Sequence, residues 1–229
     1  MQKLTIAFAS IVLACGVAVM GYFIGNGLHS LKPNTRNVSV RGLSEREVSA
    51  DTADLSISFT NSGPSAEKIF PVLATTQRQV LTFLNDNGIK DADITIGQWS
   101  TSRTSPDDLK NDPSLPLFVI AGEISVTTHD VAAVQQAYKK LNDLRSATKG
   151  AVGTGAESYS FTGLGPIRAE MIAAATKDAR NAALQFAEDS GNKVGSISTA
   201  SQGVFQILGD SKELRKTVRV VTTVNYELR

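Results

Sequence analysis

Apolar residues recur with helical spacing in three segments of the chain. Steps of three, four or seven residues predict helices that end near Asn87, Gly150 and Gly191. The first helix is expected to become regular only at Pro71, because proline inside a helix removes a backbone donor. The third has a stripe made mostly of alanine, which predicts close packing on a sheet. The stripes expected to be buried are Ile69, Leu73, Thr76, Val80 and Phe83, then Val131, Val134, Tyr138, Leu141 and Leu144, then Ile167, Met171, Ala174, Ala175, Ala182 and Phe186.

Alternation of apolar and polar residues, the period of a half-buried strand, is clearest in residues 47–60 and 217–228. Further strands are expected over residues 38–42, 93–103, 117–128, 151–162 and 193–207, with a mobile hairpin loop over residues 100–116. Together, about seven strands and three helices predict an α+β fold, in which amphipathic helices pack on one face of a largely antiparallel sheet. In the last strand Val218, Val220, Thr222, Val224, Tyr226 and Leu228 share a face.

Residues 4–28 form an uncharged and largely apolar run. At about 1.5 Å per helical residue, this run is long enough to cross a bilayer core of about 30 Å. The run exceeds the apolar core of a cleaved signal peptide. We therefore predict a signal anchor or transmembrane helix over residues 1–30, a linker over residues 31–36 and one domain over residues 37–229. Two alternatives remain, namely cleavage after export and lipidation of Cys15.

Composition narrows the classes of function. The formal net charge is +1 without a long basic run, so we expect no nucleic-acid partner, because nucleic-acid binding requires neutralised phosphates. Cys15 is the only cysteine, which excludes an intramolecular disulfide and a zinc site of several cysteines. The only histidines are His29 and His129. We therefore expect no catalytic residue, no metal and no cofactor, and a protein that is not an enzyme.

One weak candidate for ligand binding is the turn Gly163-Leu-Gly165-Pro, which precedes the third helix. Helix N-termini attract anions. Arg168, however, stands where the phosphate-binding pattern G-x-G-x-x-G has its third glycine. The main interpretation is a structural turn, with Gly163, Gly165 and Arg168 as weak ligand candidates.

The remaining polar residues have structural interpretations. Asp178 and Arg180 are two positions apart on a helix and do not face each other, so each is expected to pair with a neighbouring element or subunit. His129 is expected to be a cap or surface residue beside Asp130, the predicted N-cap of the second helix. A solvated strand edge is expected to hold Glu45, Arg46, Glu47, Asp51 and Asp54, with Asp51 and Asp54 on opposite faces.

Two segments carry a resemblance to a known family. Residues 40–55, VRGLSEREVSADTADL, combine a glycine-containing strand with an aspartate-containing one. Residues 174–197, AATKDARNAALQFAEDSGNKVGSI, contain Asp178-Ala-Arg180 followed by spaced alanines and glycines. Together they resemble the SIMPL domain family over residues 37–229. The resemblance implies a bacterial envelope protein; some relatives form ring-like oligomers, some are linked to oxidative-stress tolerance, and the family has no agreed catalytic residues.

These observations lead to one expected function and one alternative. We expect a single-pass protein of the bacterial inner membrane, bound to the membrane through residues 4–28, with its C-terminal domain in the periplasm. Its expected role is non-enzymatic self-association, as a homo-oligomer, or binding of a protein partner, with a link to envelope or oxidative stress. The alternative is a ligand-binding domain or enzyme with a site near Gly163–Arg168.

Overall fold

The computed structural model describes Gly16, residues 20–24 and residues 36–229. Gly16 and Met20–Ile24 are helical. Within these described residues, no helix has both the length and the apolar character needed to cross a membrane. Cys15, most of the predicted anchor over residues 4–28 and residues 31–35 of the predicted linker lie outside the described residues. The anchor therefore stays a prediction.

The described residues confirm the α+β class. The strands are β1 (Arg36–Ser49), β2 (Thr52–Gly63), β3 (Ile94–Ile96), β4 (Ser100–Arg103), β5 (Phe118–Thr128), β6 (Ala156–Ser160), β7 (Val194–Gln202), β8 (Gln206–Leu208) and β9 (Arg215–Leu228). The helices that follow residue 36 are α1 (Ala66–Asp86), a 3₁₀ turn (Asp91–Asp93), α2 (Pro106–Asn111), α3 (Val131–Ala147) and α4 (Leu164–Asp189).

The strands form two sheets, so the prediction of a single sheet of about seven strands is wrong. One sheet has the order β3-β5-β2-β6, with β4 also paired to β5; the other has the order β1-β9-β7, with β8 also paired to β9. β2 runs antiparallel to β5, from Ala53 opposite Thr128 to Gly63 opposite Phe118. The alternation of a strand determines which face is buried, but it does not determine which strand lies beside it.

Several predicted elements differ in extent. The segment predicted as one strand over residues 93–103 contains β3 and β4, and the segment over residues 193–207 contains β7 and the start of β8. The predicted mobile loop over residues 100–116 contains β4, which pairs with β5, and the short helix α2. Pro106 occupies the first turn of α2, where its missing N–H costs no hydrogen bond.

The chain divides into two compact units, each built from separate segments. The central unit comprises residues 42–178 and 202–222. The terminal unit comprises the described part of residues 1–41 together with residues 179–201 and 223–229.

The core of the central unit lies beneath α1 and α3. α1 contacts β2 and β5, α3 contacts β2 and β6, and the two helices contact each other. Leu55, Ile57 and Phe59 of β2 are fully buried in this core, as their alternation predicted. In α1, Leu84 is buried in place of the predicted Phe83. This helix begins at Ala66, not at the expected Pro71, because proline near a helix start removes only one backbone hydrogen bond.

The long helix α4 buries a narrower stripe than predicted. Met171, Ala175, Ala179, Ala183 and Ala187 are buried at a strict spacing of four residues. The predicted Ala174, Ala182 and Phe186 are exposed. A wide apolar stripe, with steps of three and four residues, suits a helix that packs through large side chains. A single row of alanines instead lets the backbone of the helix lie close to the sheet. In the central unit Met171 and Ala175 pack with Val218 and Val220, and in the terminal unit Ala179 and Ala183 pack with Val38, Val224 and Tyr226.

Candidate functional site

The carboxylate of Asp51 holds the turn that leads into α4. Asp51 lies between β1 and β2, and its oxygens accept hydrogen bonds from the backbone N–H of Thr162 at 2.8 Å and of Gly163 at 2.7 Å. The hydroxyl groups of Thr52 and Thr162 donate to the same carboxylate at 3.0 and 3.1 Å. The expected solvated strand edge is therefore wrong for Asp51. Because the chain turns between β1 and β2, the alternation of a regular strand does not apply to this residue.

These hydrogen bonds also set the charge of the group. Burial raises the pKa of Asp51. The hydrogen bonds, led by that from the Thr162 backbone, lower the pKa by more than burial raises it, so the net pKa lies below the ordinary value of 3.8. The absence of a side chain at Gly163 is required here, because a Cβ atom would lie 2.8 Å from Asp51 Oδ2. Asp51 is thus a charged structural acceptor at neutral pH.

His129 contacts the same turn. Its Nδ1 lies 2.8 Å from the carbonyl oxygen of Asp51, to which it donates, and 3.3 Å from the hydroxyl of Thr52. The neighbouring Asp130 caps α3 by accepting a hydrogen bond from Ala133 N at 3.0 Å, as predicted. His129 therefore helps to position the link between β1 and β2 beside the start of α3.

The predicted ligand candidates have partners within the protein. The N–H of Gly163, the donor that an anion would need, already donates to the carboxylate of Asp51. Gly165 lies in the first turn of α4, and the guanidinium of Arg168 stacks over the ring of Phe205 at 5.5 Å. A protein carboxylate thus occupies part of the predicted anion position. A ligand role for these three residues stays a prediction.

The other acidic residues have separate partners. Asp178 Oδ2 accepts a hydrogen bond from Leu43 N at 2.9 Å, which agrees with the expected pairing to a neighbouring strand. Asp54 accepts one from Thr127 Oγ1 at 2.7 Å. In the part of the chain that the structure describes, no three His, Cys, Asp or Glu side chains are grouped so that they could hold a metal. Ion pairs join Arg46 to Glu170 at 2.6 Å and Glu45 to Arg219 at 3.5 Å.

A cleft of about 470 Å³ opens in the central unit, between the end of β2, α1 and the residues after α3. It is lined by hydroxyl and amide side chains, including Asn61, Thr76, Gln79 and Thr148, and by the single charged residue Lys149. None of the lining residues is a carboxylate or a histidine. Such a lining can donate and accept hydrogen bonds, but it supplies no pair of groups for acid–base catalysis.

The most unusual surface feature is the β7 edge, defined here as residues 194–201. β7 is the last strand in the order β1-β9-β7, and residues 196–202 are all exposed. Ile197 is 53% exposed. The segment VGSISTAS contains no charged residue and no proline. The sequence predicted a strand here, but the position of this strand at the edge of a sheet follows only from the strand order.

Two other edge strands, β1 and β6, carry the usual protection. β1, at the opposite end of the same sheet order, carries Arg41, Glu45, Arg46 and Glu47. On β6, the N–H of Tyr159 donates to the carbonyl of Ser211 at 2.6 Å, so this edge is covered by a loop. Natural edge strands are generally protected by charge, proline, short length or a covering segment. The β7 edge has none of the first three, and no strand in the described part of the chain pairs with its outer side.

Comparisons with known proteins place the chain in a family but give no activity. No curated protein matches it significantly. Among solved structures, the regulatory subunit of aspartate kinase from Thermus flavus aligns with 82% of this chain and 89% of its own, at 15% identity and a TM-score of 0.20. A TM-score this low carries no argument about fold or function. The family described as SIMPL, protein of unknown function (DUF541), matches residues 38–221. The motifs, the α+β architecture and this match together show that the chain belongs to the SIMPL family.

Proposed function

We propose that this SIMPL protein is a non-enzymatic association module of the bacterial envelope, which binds protein through its β7 edge. The bound protein is either a second copy of the chain or a different partner. The single observation that carries the proposal is the exposed, uncharged β7 edge, residues 194–201. The link to envelope or oxidative stress follows from family likeness and is part of the proposal.

Strand addition is the mode of binding that this edge supports. An edge strand presents a row of backbone N–H and C=O groups that another extended segment can pair with. Directly after β7, Gly203 N donates to Val221 O at 2.8 Å, so the backbone N–H of Gly203 is directed toward β9. Because backbone groups alternate in direction along a strand, the N–H and C=O of Ala200 are directed outward. The backbone of β7 thus supplies donors and acceptors without charged side chains that would exclude a partner.

The envelope location rests on the N-terminal sequence. Residues 4–28 carry no charge and form a run long enough to cross a bilayer core as a helix. A membrane anchor there leaves residues 37–229 in the periplasm. Protease added to intact spheroplasts is then expected to digest the domain, and protection of the domain would contradict this orientation.

Site-specific photo-crosslinking of the full chain in membranes tests association. A photoreactive phenylalanine analogue is placed at Ser198 on β7 and, as a matched control, at Ser49 on the charged strand β1; both residues are exposed. Crosslinked protein is expected from Ser198 and not from Ser49. The substitution Ala200→Pro, which removes an outward N–H, is expected to abolish the product, whereas Ala200→Ser leaves it.

Two outcomes would contradict the proposal. The first is the absence of any protein adduct at Ser198. The second is an adduct that forms equally from Ser198 and Ser49, since this indicates random collision. Trp99, the only tryptophan, has its indole N–H hydrogen-bonded to Gln77, so unchanged fluorescence shows that the central unit of each variant is folded. Unchanged far-UV circular dichroism shows that the strands and helices of the whole domain are retained.

The ligand-binding alternative near Gly163–Arg168 has a separate test. A thermal-shift series with inorganic phosphate compares the wild-type chain with Arg168→Ala. Stabilisation that is lost in the variant would support a ligand role for this turn. Equal behaviour of the two proteins would leave the turn with its structural role at Asp51.

A further inference from the structure

We infer that the segment added to β7 is the β7 strand of a second copy of this chain, in antiparallel alignment. The inference rests on the association function proposed above, and it names the partner. Antiparallel pairing of identical strands places the same surface of each copy against the other around a twofold axis. With the axis at Ser198, the middle residue of β7, Ile197 of each copy lies opposite Thr199 of the other.

Charge is the first argument for a second copy. In a self-paired antiparallel strand a charged residue at the axis meets its own copy, and like charges opposite each other are destabilising. β7 avoids this penalty completely because it has no charged residue. β1, at the other end of this sheet, carries Arg41, Glu45, Arg46 and Glu47, so the charges that would meet in its self-pairing depend on the alignment. Of the two ends of this sheet, only the β7 end can pair with its own copy without charge repulsion in every alignment.

Side-chain chemistry is the second argument. Four of the nine residues of β7 are serine or threonine, and Ile197 is its one large exposed apolar residue. Serine and threonine form favourable cross-strand pairs with one another. The Thr199 hydroxyl already accepts a hydrogen bond from Asn225 at 2.6 Å, so this side chain is held on one face of the sheet. Pairing places the half-exposed Ile197 beside the methyl group of Thr199 and removes apolar area from water.

The size of the contact predicts where pairing occurs. One strand pair buries less than the roughly 1,200 Å² typical of stable interfaces, so the dimer is weak in free solution. Two copies anchored in one membrane have a much higher effective concentration, and a weak contact then becomes populated. Pairing is therefore expected in membranes and is lost when the protein is diluted in detergent.

Disulfide trapping in membranes tests the alignment. The full chain carries Cys15→Ser, which removes the only native cysteine, together with Ser198→Cys. At a twofold axis the two Cα atoms lie about 4.5–5.5 Å apart, which is within disulfide range. Mild oxidation is expected to give a covalent dimer several-fold faster than with Ser49→Cys on β1. Coexpressed Ile197→Cys and Thr199→Cys chains are expected to join to each other faster than either joins to itself.

The outcomes separate this inference from the proposed function. If Ser198→Cys dimerises no faster than Ser49→Cys, while photo-crosslinks at Ser198 capture a different protein, the association function stands and the second copy is wrong. If neither method gives a product at Ser198, both are wrong. Ser198→Lys places two like charges at the axis and is expected to reduce trapping of the Ile197→Cys and Thr199→Cys pair. Undiminished trapping in the folded Ser198→Lys chain would also overturn the alignment.

Discussion

Replacement of Asp51 by asparagine measures how strongly one carboxylate holds the start of α4. In the wild-type chain, Oδ1 accepts from Thr162 N and Oδ2 accepts from Gly163 N. Asparagine has nearly the same shape, but one of its two terminal groups is an amide donor. The NH₂ group of the asparagine must then face the backbone N–H of Thr162 or Gly163, and that N–H no longer has an acceptor. The substitution therefore removes charge and one acceptor without creating a cavity.

The expected cost follows from the two backbone hydrogen bonds. At about 1.5 kcal/mol each, the low end for hydrogen bonds to charged groups, they contribute about 3 kcal/mol. Asparagine keeps one acceptor, and the partly solvated donors can bond to water, so we expect a loss of about 2 kcal/mol. For a domain of this size, such a loss lowers Tm by about 4–8 °C.

Urea unfolding of the full chain, followed by the fluorescence of Trp99, is the assay. Folding lowers the pKa of Asp51, so the stabilisation is complete above the unfolded pKa of about 3.8 and disappears as the pH falls through the folded value. The difference between wild type and Asp51→Asn is therefore expected to be constant from about pH 5 to 7 and to shrink below about pH 4.

Asp54→Asn is the matched control. Asp54 accepts one exposed hydrogen bond, from Thr127, and its replacement is expected to cost less than about 0.5 kcal/mol. If the two variants lose equal stability, the carboxylate of Asp51 has no special role in the turn. A difference that persists unchanged at about pH 3 would show that charge is not the cause.

Two further predictions concern packing. Thr222 is 4% exposed, and its hydroxyl has no hydrogen-bond partner among the residues that the structure describes. Thr222→Val is therefore expected to raise the free energy of unfolding by about 1 kcal/mol in the same urea assay, and a loss of stability would mean that the hydroxyl is satisfied. Gly122→Ala would place Cβ 2.6 Å from Phe59 Cζ and 3.0 Å from Trp99 Cδ1, so it is expected to cost about 1–3 kcal/mol and to change the Trp99 emission. Unchanged stability and emission would show that the contact relaxes freely. The matched control is Gly165→Ala, whose new Cβ would meet no atom within 4 Å from other elements of the described chain.

Periodicity predicted elements well where one face of a strand or helix is buried throughout. In β9, Val218, Val220, Val224 and Tyr226 are buried as their alternation predicted. The same alternation also buries Lys216, which the apolar pattern did not include. Its amino group donates to the carbonyl of Asp210, and its long apolar stem can lie in the core. A loop that returns to the strand made this burial possible, and such a loop has no signature in local periodicity.

The contacts around Asp51 could be predicted only in part. The sequence marked Gly163 as a turn and Asp51 as a polar residue near a strand, but 112 positions separate them. A hydrogen bond over that distance depends on sheet order and on the placement of α4. The exposure of the β7 edge depends on sheet order in the same way, because β7 is an edge only when β9 lies on one side and no strand lies on the other.

The alanine row of α4 has a consequence for the order in which the protein opens. Each buried alanine contributes little more than one methyl group, about 0.8 kcal/mol per carbon, whereas a buried leucine or isoleucine contributes roughly 1.5–3 kcal/mol. Ala179, Ala183 and Ala187 therefore attach the second half of α4 less firmly than Leu73 and Leu84 attach α1. Backbone amides in this half of α4 are expected to exchange with deuterated solvent before those of α1. The terminal unit, which contains residues 194–201, is thus expected to be the part of the domain whose local unfolding is least costly.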